Sequence, residues 1–74
     1  MTYTRADTAD GARVTLEMSS DDFASLLLLV GYAAGAARGR GDMHMFWKWL
    51  DFVNRMNTGN PEFMPYEIPE GALS

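Results

Sequence analysis

The chain has no cysteine among its 74 residues, so no disulfide can tie it together. A structural zinc site is excluded almost as firmly, because such sites use Cys and His and there is one histidine, His44. Disulfides and metals are the usual supports of a domain this short, whose single core leaves the fold marginal by itself. Association with another chain is the support that remains.

Also missing is any run of basic residues. The formal net charge is −4, whereas general nucleic-acid and anionic-membrane binders draw their affinity from clustered Lys and Arg, so neither activity is expected. Arg38, Arg40, Lys48 and Arg55 do fall in one stretch, which leaves room for a small anion site on an acidic molecule. No hydrophobic run reaches the roughly 20 residues of a membrane span. The longest, Leu26 to Ala37, is interrupted by Gly31, Tyr32 and Gly35. The N-terminus carries Arg5, Asp7 and Asp10 rather than the basic-then-apolar pattern of a signal peptide. A soluble, cytoplasmic protein is expected.

Signatures of chemistry are equally scarce. The sequence has no cysteine nucleophile, no phosphate-cradling G-x-x-x-x-G-K-[ST], no H-E-x-x-H and no serine with a histidine and carboxylate at hand. Asp21 and Asp22 are explained by a helix start and Glu67 and Glu70 by a solvated tail, so paired-carboxylate catalysis has no separate support. Met43-His44-Met45 offers soft donors suited to copper, yet neighbours on a helix point about 100° apart and do not converge on one ion. No enzymatic activity, catalytic residue, metal site or cofactor is expected.

What is present is a globular balance, 47% hydrophobic against 22% charged, with strong local patterning. Residues 1–11 lack hydrophobic periodicity and read as a flexible arm anchored only by Tyr3. From Arg13 to Ser19 the chain alternates, Val14, Leu16 and Met18 against Arg13, Thr15, Glu17 and Ser19, as in a half-buried strand. With no second strand evident, it is expected to pair with the C-terminal segment or with its own copy. A helix start follows, with Ser19 as N-cap, Asp22 closing a capping box, and Met18 and Phe23 as a hydrophobic staple. This helix is expected to run to about Arg38, with Gly39 or Gly41 as its left-handed cap. Asp42 then caps a second helix from Met43 to about Asn57, stopped by Gly59 and Asn60-Pro61.

The short connection makes the two helices an antiparallel αα-hairpin. All the prolines lie beyond it, Pro61, Pro65 and Pro69, marking an extended strap held down by Phe63, Tyr66 and Ile68. The expected fold is mainly α: a short N-terminal strand, an antiparallel two-helix hairpin and a Pro-rich C-terminal strap, oligomeric, divided into an arm 1–11, a core 12–60 and a strap 61–74.

The first helix is apolar on too many sides. Phe23, Leu26, Leu27, Val30, Ala34 and Ala37 form one stripe, while Leu28, Leu29, Tyr32 and Ala36 make the opposite side apolar as well. Burying a Leu side chain is worth roughly 1.5–3 kcal/mol, so Leu28, Leu29, Gly31, Tyr32 and Gly35 are the expected self-association surface. Gly31, Gly35 and Gly39 recur at every fourth position, each at a cost of about 1 kcal/mol against alanine. They admit either another backbone or the rings of Phe46, Trp47 or Trp49. The second helix divides more cleanly, with Phe46, Trp49, Leu50, Val53 and Met56 apolar and His44, Lys48, Asp51 and Arg55 polar. The polar set reads first as a solvated face with weak Lys48–Asp51 and Asp51–Arg55 pairs.

Three functions fit these features. The first is a noncatalytic binding or regulatory module acting through protein contacts, with its own copy as first partner. The second is capture of a small anionic or nucleotide-like ligand at a subunit boundary, as in a phage-type sponge. Arg38, Arg40, Trp47, Lys48, Asn54 and Arg55 would hold it, since an aromatic beside cations and an amide suits a phosphorylated ligand. The third is an acidic inhibitor or antitoxin-like protein that covers a basic surface of a larger host protein. Many small bacterial and phage-encoded proteins share this layout, a likeness of size that carries over no functional residue.

Overall fold

A turn at Ala9-Asp10 folds the N-terminal residues back on themselves. The computed structural model describes residues 1–74 and pairs β1 (Thr2–Thr8) with β2 (Gly11–Glu17) in one antiparallel sheet. Gly11 supplies the positive φ of 124° that this reversal needs, and the Thr8 hydroxyl donates to the Gly11 carbonyl at 2.7 Å. The segment expected as a flexible arm is therefore a strand, and the partner sought for β2 in the C-terminal segment or another copy is β1. With α1 (Ser20–Gly39) and α2 (Met43–Met56) following, the chain is a small mixed α/β fold, which the expected mainly α class describes only in part.

Opposed residues of an antiparallel pair share a face. Tyr3 stands opposite Leu16 and Arg5 opposite Val14. One face of the hairpin thus carries Tyr3, Val14 and Leu16 beside an Arg5–Asp7 ion pair at 3.3 Å, and the other carries Thr2, Thr4, Arg13 and Thr15. Every residue of both strands is exposed, and neither strand packs on a helix.

The helices follow their caps. The Asp22 N–H donates to the Ser19 Oγ at 3.1 Å and the Met45 N–H to the Asp42 carboxylate at 3.2 Å, each satisfying an orphan donor of a first turn. At the end of α1 the Gly41 N–H donates to the Arg38 carbonyl (3.0 Å) and the Asp42 N–H to that of Ala37 (2.9 Å). That paired closure requires the positive φ of 78° at Gly41. Asp42 thus ends one helix and caps the next, and the corner between them is correspondingly tight. α1 and α2 pack together, and Val30, Ala34, Ala37 and Val53 are the buried apolar residues of the chain.

Buried Asn57 organises the exit from α2. Its side-chain amide donates to the Val53 carbonyl at 2.9 Å and its oxygen accepts from Asn60 at 3.1 Å, while the Asn60 oxygen accepts from the Glu62 N–H at 3.1 Å. The side-chain amides of Asn57 and Asn60 are both engaged within this turn. Beyond it, residues 63–69 have no regular secondary structure, with Phe63 and Ile68 half-buried and Tyr66 edge-on to Phe63 at 6.0 Å.

Candidate self-association surface

The face of α1 turned away from α2 is built from residues at helical spacing that α2 does not reach. Leu28, Leu29 and Tyr32 are 67%, 66% and 76% exposed. Between Ala24 and Ala37 this helix contains no charged residue at all. Ala24, Leu27, Leu28, Gly31 and Tyr32 line an open apolar groove along it. Nothing lies within 4 Å of where a Cβ would stand at Gly31, Gly35 or Gly39, so the rings of Phe46, Trp47 and Trp49 do not sit there, and that account of the glycine row is corrected. No feature of its own chain calls for glycine on this face.

Besides this face, the β-hairpin leaves Tyr3, Val14 and Leu16 exposed beside the Arg5–Asp7 pair, and the chain buries few residues overall. Its accessible surface is 5911 Å², whereas a folded monomer of 8.2 kDa is expected to expose about 4,500 Å². Its radius of gyration, 14.3 Å, compares with about 11 Å for a compact domain of this length. An isolated two-stranded hairpin is itself marginal in water.

Most of the residues considered for an anionic ligand have partners within the chain. Arg38 lies over the Phe46 ring at 5.8 Å, and Arg55 lies over Phe52 at 5.5 Å while pairing with Asp51 at 3.1 Å. Arg40 pairs with Asp42 at 3.8 Å, Lys48 is exposed, and Trp47 is half-buried, edge-on to Phe46. Asn54 is engaged by a backbone: its amide donates to the Tyr66 carbonyl and its oxygen accepts from the Tyr66 N–H, both at 2.9 Å. Tied to a backbone in this way, Asn54 holds the C-terminal segment on α2, a role that hydrophobic anchors alone did not suggest. His44 Nδ1 lies 3.3 Å from the Ala72 carbonyl, a second tie on the same face. No group of three His, Asp or Glu side chains could hold a metal ion, and no helix is long and apolar enough to cross a membrane.

Asn54→Leu removes both bonds at similar size. It is expected to speed limited proteolysis within residues 63–69 by about thirtyfold, at about 1 kcal/mol for each of the two lost bonds, with the helical circular dichroism unchanged. Cleavage at the wild-type rate would mean that the tie does not hold the segment.

No protein-family model, curated protein or solved structure matches this chain. Its surfaces are the basis for a functional reading.

Proposed function

We propose that the protein is a noncatalytic, homo-oligomeric binding or regulatory module that works through protein–protein contacts, with the outer face of α1 as its association surface. The observation that carries this reading is the surplus of accessible surface, about 1,400 Å² beyond the expectation for its mass. Leu28, Leu29 and Tyr32 on α1 and Tyr3, Val14 and Leu16 on the hairpin are among the large apolar side chains left exposed. A standard interface removes about 800 Å² from each partner. One such contact would remove more than half of that surplus.

The polar groups point the same way. Asp42 is spent on a cap, Asp51 on Arg55 and His44 on a C-terminal carbonyl. In this reading the C-terminal segment is a strap that completes α2, leaving α1 and the hairpin as the faces open to partners. Small-angle X-ray scattering tests the proposal: forward scattering of two or more copies, with a radius of gyration above 14.3 Å, is expected at micromolar concentration. The scattering of one copy throughout the accessible concentration range would rule it out.

A further inference from the structure

We infer that the occupant of α1's outer face is α1 of a second copy, packed antiparallel about a two-fold axis that crosses the helix between Val30 and Gly31. This rests on the self-association proposed above and adds its geometry. Charge is the first argument. The charges of α1 and its cap are gathered at the two ends by sign, Asp21 and Asp22 in the first turn, Arg38 and Arg40 at the last. A parallel pair would set like charges together at both ends. An antiparallel pair sets opposite charges together and opposes the helix dipoles as well. The Asp21 carboxylate has no ion-pair partner in its own chain, and the Arg40 pair with Asp42 is long, at 3.8 Å, and exposed. Such a pair exchanges readily for another.

Shape supplies the second argument, and it selects the same register. The axis that brings Asp21 level with Arg40 of the second copy also brings Leu28 level with Ala33, midway between Gly31 and Gly35. Those glycines leave open the space that a Cβ would take, so the Leu28 side chain of the second copy has a notch to enter. Tyr32 comes level with Leu29 in the same arrangement, and each contact occurs twice, as an isologous interface requires. Area is the third argument. α1 is 20 residues long, about 30 Å, and Leu28, Leu29 and Tyr32 stand about two-thirds or more exposed along it, so a pair of these helices has apolar area to bury.

The test is native mass spectrometry of the Asp21→Arg chain, the Arg40→Asp chain and their equimolar mixture. Each variant alone places like charges together at both ends of the pair, so its dimer is expected to weaken by about tenfold. In the mixture both ends again join Arg to Asp, and the heterodimer is expected to exceed half of all dimer. Asp21→Asn and Arg40→Gln repeat the comparison without reversing charge at a helix end, each with an expected weakening of about threefold. Dimers unweakened by any of these changes, statistical mixing, or a three-copy assembly would overturn the antiparallel pairing while leaving self-association in place. A wild-type chain that stays monomeric would overturn both.

Discussion

Replacing Leu28 and Leu29 together by glutamate is expected to turn the protein into a monomer whose helices remain formed. Both side chains are about two-thirds exposed within the chain, so the change removes little that α1 needs for itself, and glutamate is as good a helix former as leucine. In the associated state each leucine contributes roughly 1.5–3 kcal/mol of burial, twice over in a symmetric pair, and the new carboxylates would have to lose water to enter the interface. Association is expected to weaken by about a thousandfold or more. Light scattering and far-ultraviolet circular dichroism on one sample read both halves of the expectation. A folded double variant of unchanged mass would place the interface elsewhere.

Ala37→Leu is expected to have the opposite character, a loss of stability arising inside the chain. Ala37 has no exposed surface and lies with Val30, Ala34 and Val53 in the small core. Added carbon atoms there have no free volume to enter, and overpacking of this kind costs typically 1–3 kcal/mol. For a domain of this size that lowers the melting midpoint by about 4–8 °C per kcal/mol, a large share of what so thin a core supplies. An equal enlargement on the outer face, Ala24→Leu, is expected to leave the monomer's midpoint nearly unchanged. Thermal unfolding of both, in the Leu28→Glu, Leu29→Glu background, separates packing from association. Equal midpoints for the two would show that α2 does not close on α1 at Ala37.

The helical half of the fold was legible because its signals are local. Ser19 and Asp42 sit where a side-chain oxygen meets an orphan N–H, and Gly41 sits where a positive φ is needed. α1 and α2 accordingly start and stop within a residue or so of expectation. β1 was not legible by periodicity, because its exposed faces select no apolar alternation: Tyr3 shares its face with Arg5 and Asp7. The signal that was available is Asp10-Gly11, a hairpin dipeptide, preceded by the strand-favouring Thr2, Tyr3, Thr4 and Thr8.

Of the candidate site, the apolar outer face of α1 could be read directly, since Leu28, Leu29 and Tyr32 fall on the side opposite Val30 at 3.6 residues per turn. The engagement of Asn54 could not, because its partner is a backbone twelve residues away along an irregular segment. Sequence spacing specifies contacts across a helix turn far better than contacts made by a returning chain.

Native mass spectrometry of the untagged protein bears most directly on whether this chain is complete alone. Assemblies at whole multiples of 8.2 kDa, predominant at micromolar concentration and lost on Leu28→Glu, Leu29→Glu substitution, are the expected result. A single species at 8.2 kDa at every concentration would contradict it.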